Sequence, residues 1–566
     1  MKFNEMVYQR LDGSDIKSKG KSTLHSFQQA TSYQEAYKIF MEWEDLLSKV
    51  STQNTLASVR HVIDTTDTFY DAEQEYWDNI MPELEETVQA FTKAMLESKY
   101  RSEFENAFGS LLFTNAEIQL KTFKPEIVSE LQEENRLTTE YAKLIASAQI
   151  MFDGEYRTLS QLTPYKQAID DKLRKEAWIA EGTFFANNQE SLDDIYDKLV
   201  KVRTTMAQKL GYENYVQLGY YRMMRNSYDK NDVAKFREAV IKYIVPLATS
   251  LKKDQAKRIN VKYPMTFDND VLAYRSGNAK PAGSADDILA NGKKMYHELS
   301  PETSQFIDFM YDNELLDVLS KKGKAGGGFC TEISDYKSPF IFANFNGTHH
   351  DVEVMTHEAG HAFAAYLAKD IVPMEYRNPT LESCEIHSMS MEFFAWPWAE
   401  GFFKDDKDKF YYGHLEGALT FIPYGTMVDH FQHIIYEKPN MTPNERHEEW
   451  KKLEAIYRPW LVVDKLPFYG DGKGWQRQQH IYSSPFYYID YCLAQAVALQ
   501  FWGKMQKDRD KAWKNYLSLV KKAGTMTFTQ LVETAGLETP FGDKGLADVV
   551  KVANDFLDKF DKNKLK

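Results

Sequence analysis

Three cysteines in 566 residues, Cys330, Cys384 and Cys492, make no CxxC pair and leave at least one thiol unpaired. That excludes a disulfide scaffold and leads us to expect a reducing compartment. A basic block is missing too. Against 69 lysines and arginines stand 83 acidic residues, a formal charge of −14 spread along the chain. Nucleic acid and anionic membrane surfaces would be repelled on average, so neither is an expected partner. No apolar run reaches the ~20 residues that span a bilayer, and the opening stretch MKFNEMVYQRLDGSD has no apolar leader segment. The cytoplasm is the expected location. There is no internal repeat, no long flexible linker and no low-complexity tract beyond the lysine-rich KFDKNKLK end.

What is present is ample core material, 43% apolar and 14% aromatic residues, enough for a large folded domain. To about residue 320, stretches such as SYQEAYKIFMEWEDLLSKV and SLDDIYDKLVKVRTTMAQKLG return an apolar residue every three or four positions, so helix dominates. Glycine and proline punctuation at 274–287, 321–329 and 468–475 reads as surface loops within a domain. The clear strand candidate is SPFIFANFNGT (338–348), closed by an Asn-Gly turn signal.

Directly after that turn comes MTHEAGHAF (355–363). On a helix, at about 100° per residue, His357 and His361 share a face one turn apart, and Glu358 lies beside them. Two neutral imidazoles can hold one zinc ion, while the glutamate takes a proton from a water that the metal acidifies to a pKa of roughly 7. Such a centre needs a third protein ligand and an open fourth position. The short-range spacings that would supply the third ligand are absent: Ala364 and Leu367 stand where one pattern needs glycine and histidine, and Thr380 and Leu381 where another needs glutamate. Further on, NPTLESCEIHSMSMEFFAWP (378–397) reads as a second helix, with Asn378 as N-cap and Pro379 in the first turn. It carries Glu382, Glu385, His387 and Glu392. Glu385 and Glu392, seven apart, share a face as a ligand and its supporting carboxylate would.

HExxH followed, 24 residues after its second histidine, by the glutamate of a CEIHSMSMEFF helix resembles the thimet oligopeptidase and oligoendopeptidase F family of zinc metallopeptidases. NFNGTHHDVEVMTHEAGHAF is similar to that family's strand, turn and active-site helix, with Ala359 where members often carry a bulkier residue. The resemblance implies a mainly α-helical, single prolate fold with a small sheet beside the HExxH helix and a deep substrate channel. In it, residues 1–566 form one oligopeptidase domain, with an N-terminal helical part (1–200) and a catalytic part (201–566). It implies one zinc ion per chain held by His357, His361 and Glu385, Glu358 as the base, and Glu392 as the second glutamate of the family pattern.

WQRQQHIYSSPFYYIDYCLAQ (475–495) offers donors for the oxyanion that forms on an attacked carbonyl. Ser484 and Pro485 look like an N-cap and first helical position. By the resemblance, His480 and Tyr491, and with them Tyr488 and Tyr487, bond the oxyanion and the substrate backbone. The glycine-rich GKAGGGF loop, with Gly326, Gly327 and Gly328, is expected to close over bound peptide. FIFANF, with Ala343 and Asn344, is expected to be an edge strand on which an extended peptide adds.

The expected activity is that of a zinc endopeptidase acting on short unstructured peptides. Three alternatives remain at this point. An exopeptidase would need a fixed charge near the metal, for which Arg477 is a candidate. A non-catalytic helical peptide-binding protein would hold only a structural metal. In the last alternative no metal binds at all.

Overall fold

The computed structural model describes residues 1–321, 323–462 and 465–565; Lys322, within the predicted 321–329 loop, lies outside them. The chain is mainly helical, as expected. Three long N-terminal helices, Gly13–Gln29, Tyr33–Ile63 and Thr68–Leu96, pack side by side. The second and third start where side-chain caps relieve the unpaired first-turn amides: Ser32 accepts from the Glu35 N–H, and Asp67 from those of Phe69 and Tyr70. They bury local clusters of their own, around Phe40, Trp43 and Phe91 and around Val50 and Trp77. The main core takes in residues from Phe3 to Leu565, so the N-terminal helices and the rest of the chain share it.

Strand is confined to a small hairpin, β1 (Ile150–Phe152) with β2 (Glu155–Arg157), and one three-stranded sheet made of β3 (Leu316–Leu319), β4 (Phe329–Ile333) and β5 (Ser338–Phe345), in the order β3-β5-β4. The predicted edge strand is therefore the central one. β5 runs parallel to β3, pairing Leu316 with Ile341, and antiparallel to β4, pairing Phe329 with Phe342. The physical reason lies in the run itself. SPFIFANF is apolar at nearly consecutive positions, seven of its eight residues are buried, and a strand covered on both faces belongs inside a sheet. β4 carries the free edge: among the described residues its backbone makes no backbone hydrogen bond besides those to β5.

Four helices then build the site. α1 (His350–Ala368) follows β5 through the Asn346-Gly347 turn, where Gly347 has φ 83° and the Asp351 carboxylate accepts from the backbone N–H of Asn346 at 2.9 Å and of Gly347 at 2.8 Å. α2 (Leu381–Phe394) begins two residues later than predicted, with Thr380 rather than Asn378 at its N-cap. α3 (Lys407–Glu437) and α4 (Tyr488–Met505) close the core behind α2. The predicted start of α4 is also displaced. Ser484 and Pro485 lie in a turn, and Phe486 takes φ 67°, held by the Gln432 side chain, which accepts from its N–H at 3.0 Å, and by Arg225, which donates to its carbonyl.

Candidate active site

α1 and α2 touch closely because of one glycine. A Cβ on Gly360 would stand 2.7 Å from the Ser388 Cα and 2.8 Å from the His387 carbonyl oxygen, closer than van der Waals contact allows. With only hydrogen there, the helices approach until Glu385 Oε2 lies 3.2 Å from His357 Nε2 and 3.4 Å from His361 Nε2. The three ligand atoms lie within 4.8 Å of one another. Tetrahedral bonds of 2.0–2.1 Å place ligand atoms about 3.3 Å apart, so two histidine nitrogens and a carboxylate oxygen so placed could hold a zinc ion.

Glu385 is itself anchored. Tyr487 donates its hydroxyl to Oε1 at 2.7 Å, and Ser388 donates to Oε2 at 2.9 Å. Burial alone would raise the Glu385 pKa, but His361 and His357 hold it well below the usual carboxylate range. It is ready to bind a cation.

The orientation of His357 can be traced outward. The Trp396 indole N–H, which can only donate, points at His414 Nδ1 at 3.0 Å. His414 Nδ1 is therefore a lone pair and Nε2 carries the hydrogen, donated to Glu392 Oε2 at 2.8 Å. The other oxygen of Glu392 takes Nδ1–H of His357 at 2.7 Å. That leaves the lone pair of a neutral His357 on Nε2, aimed at Glu385, where two electron-rich atoms can rest 3.2 Å apart only with a cation or a proton between them. Burial opposes protonation of that ring, yet Glu385 and Glu392 together raise the His357 pKa well above its usual value.

Replacing Glu392 by Gln would put an amide between two histidine N–H groups and satisfy only one. Zinc affinity should drop about 10–100-fold, measured by competition with a chelator. Unchanged affinity would mean that Glu392 does not orient His357.

Glu358 stands beside the ligands, with Oε2 buried and unpartnered by protein. Burial raises its pKa from the usual glutamate value, against the pull of His357 and His361. Gly328 is next to it: a Cβ there would stand 3.5 Å from Glu358 Oε1 and 3.4 Å from the Phe342 carbonyl. The glycine-rich loop thus lies over Glu358. It is tied down on both sides, because Asn344 donates to the carbonyls of Ala325 (2.8 Å) and Gly327 (2.9 Å), and the Ala325 N–H donates to Val62. A Cβ on Gly326 or Gly327 would meet nothing within 4 Å. Ala343 is fully buried in the central strand and cannot line a substrate groove with its side chain.

The tyrosine cluster meets the ligand set through Tyr487. The His480 ring packs 5.6, 5.0 and 5.7 Å, centroid to centroid, from Tyr487, Tyr488 and Tyr491, and the Tyr491 hydroxyl lies 3.4 Å from His480 Nε2. Burial pushes the His480 pKa down to about 4, opposed by Glu385, so the ring is neutral near pH 7. The Tyr487 hydroxyl is directed at Glu385 Oε1. Tyr488 packs edge-on against Tyr424 and Tyr491.

Other histidines fall away from the centre. His430 bonds Tyr457, and His433 bonds Tyr220. His349, His350 and Glu353 form a separate group. Arg477, the candidate terminus anchor, is paired with Glu181 at 3.1 Å. His414 was not foreseen, since it sits on α3 with no spacing signal tying it to Glu392.

Comparison with known proteins shows the family. The chain matches Peptidase family M3 over residues 290–550 and the Peptidase M3 N-terminal domain over residues 3–123. An oligoendopeptidase F homolog of Borreliella burgdorferi is 24% identical over 427 residues, 71% of this chain and 70% of that protein. The structure of PZ peptidase A with an inhibitor is 47% identical, covers 99% of this chain and 100% of its own, and superposes with a TM-score of 0.97. A protein provisionally assigned as oligoendopeptidase F from Bacillus anthracis str. Ames is 44% identical, with coverage of 100% and 99% and a TM-score of 0.93.

Proposed function

Since the chain belongs to peptidase family M3 and is an endopeptidase of the oligoendopeptidase F kind, we propose that it cleaves internal bonds of short, unstructured peptides with one zinc ion held by His357, His361 and Glu385. The observation that carries this reading is the single carboxylate oxygen of Glu385 at 3.2 and 3.4 Å from two histidine Nε2 atoms, with Glu358 alongside. Zinc bound there supplies Lewis acidity to the substrate carbonyl and to the attacking water.

The chain's own residues do the rest. Glu358 takes a proton from the attacking water and returns it to the leaving amine, a role suited to a carboxylate whose pKa burial has raised. Tyr491 O–H and His480 Nε2–H donate to the oxyanion. Tyr487 and Ser388 keep Glu385 aimed, and Glu392 keeps His357 aimed. The peptide adds along the free edge of β4, which follows directly on Gly326–Gly328, so backbone hydrogen bonds supply affinity with loose side-chain preference. We read residues 1–566 as one working oligopeptidase domain. Among the described residues no helix is long and apolar enough to cross a membrane, and we place the enzyme's action in the cytoplasm.

The test is product length. Unstructured peptides of graded length, one folded protein and one unfolded protein are incubated with zinc-loaded enzyme and with chelated enzyme, and products are identified by mass spectrometry. Internal cuts in the short peptides alone, abolished by the chelator, are expected. Stepwise loss from one terminus would instead indicate an exopeptidase, a reading the pairing of Arg477 with Glu181 disfavours.

A further inference from the structure

His480 has two ring nitrogens, and only one of its neutral forms can serve an oxyanion. With the hydrogen on Nε2, the side facing Tyr491, the ring donates beside the tyrosine hydroxyl. With the hydrogen on Nδ1, it presents a lone pair to a developing negative charge and repels it. The partner of Nδ1 therefore decides whether the residue helps or hinders.

That partner is Gln478, whose side-chain Nε2 lies 2.9 Å from His480 Nδ1. An amide has one donating and one accepting end. The accepting end, Oε1, takes the hydroxyl of Tyr424 at 2.9 Å. Tyr424 is on α3, a different element, braced edge-on against Tyr488 and lying under the Arg458 guanidinium. With the carbonyl occupied, the N–H is what Gln478 offers the ring, so Nδ1 accepts and the hydrogen of neutral His480 stays on Nε2.

We propose that Gln478 is a positioning residue that fixes His480 in its Nε2–H form, with the Tyr424 hydroxyl donating to the Gln478 carbonyl and completing the relay. The inference rests on the reading of His480 as an oxyanion donor. Around the ring stand the phenols of Tyr487, Tyr488 and Tyr491 and the amide of Gln478, and the carboxylate that acts on it is Glu385. The wild-type ring is neutral across the working range, so its tautomer, not its charge, carries the effect.

Gln478→Glu keeps the shape and inverts the chemistry, because a carboxylate only accepts. It takes the Tyr424 hydroxyl on one oxygen and Nδ1–H on the other, moving the lone pair to Nε2. At pH 8, kcat should fall about 10²-fold, the loss typical of one oxyanion donor, with KM little changed. The added carboxylate also favours the imidazolium, which donates from both nitrogens. The ratio of variant to wild-type kcat should therefore climb as pH falls through the raised pKa, a recovery that mere misfolding would not produce. Ring 15N shifts of labelled His480, recorded on metal-free and zinc-loaded protein, should show Nε2–H in the wild type and Nδ1–H in Gln478→Glu at pH 8. Tyr424→Phe, which removes only a hydroxyl, should lower kcat by a smaller factor and mix the two tautomers. A wild-type Nδ1–H signal, or wild-type kcat in Gln478→Glu while His480→Ala is impaired, overturns the inference alone. Wild-type kcat in His480→Ala would remove the parent reading and the inference with it.

Discussion

Glu358→Gln should leave zinc bound at wild-type stoichiometry and lower kcat by about 10²–10⁴-fold, the range of a general base. The change keeps the shape of a side chain that is 6% exposed and whose Oε2 has no protein partner, so neither packing nor a hydrogen bond is lost. What is lost is the ability to take a proton. The proposed ligands on either side in sequence and space, His357, His361 and Glu385, are untouched. Metal analysis beside steady-state kinetics on a fluorogenic peptide separates the two effects. If kcat stayed near wild type, the proton would be going elsewhere and the base would have to be sought outside α1.

His361→Ala should do the opposite, emptying the metal centre while sparing the fold. Its imidazole keeps 18% of its side-chain surface exposed, so its removal leaves the main core intact. Glu385 and His357 alone make a two-ligand site, one fewer than the three protein ligands of catalytic zinc. Zinc should fall to near background after gel filtration, activity should drop to that of chelated wild type, and the circular dichroism spectrum should stay helical. Zinc retained with full turnover would place the metal elsewhere. Read together, the two variants separate loss of the metal from loss of chemistry on it.

How much of this was legible in the sequence depended on whether a signal was local. HEAGH could be read because one turn of helix fixes the relation between His357 and His361, and β5 because an apolar run followed by Asn-Gly has few other solutions. Glu385 came from its shared face with Glu392 together with family resemblance, since nothing in a linear chain states that two helices will cross at Gly360. Where pairing partners matter, local reading failed. The sequence shows no partners on either side of β5, because its neighbours β3 and β4, of four and five residues, leave almost no strand signal. The starts of α2 and α4 differ from those the sequence predicts because proline near a helix start gives only its approximate place, while the left-handed Phe486, held by Gln432 and Arg225 from elsewhere in the chain, decides where α4 begins. His414 and Gln478 were invisible for the same reason: their meaning comes entirely from side chains they meet after folding.

The contact at Gly360 also bears on which ion could bind. α1 and α2 together are a chelating ligand, and its bite is set by a missing methyl group. Zinc, with bonds of 2.0–2.2 Å, matches the donor spacing that backbone contact produces. A calcium ion, at 2.3–2.6 Å, would stretch each donor–donor edge by about 0.6 Å and prise apart two helices seated in the close-packed interior. On the proposed reading, selectivity for zinc over a larger ion would be exercised by the backbone at Ser388 and His387, against which Gly360 packs.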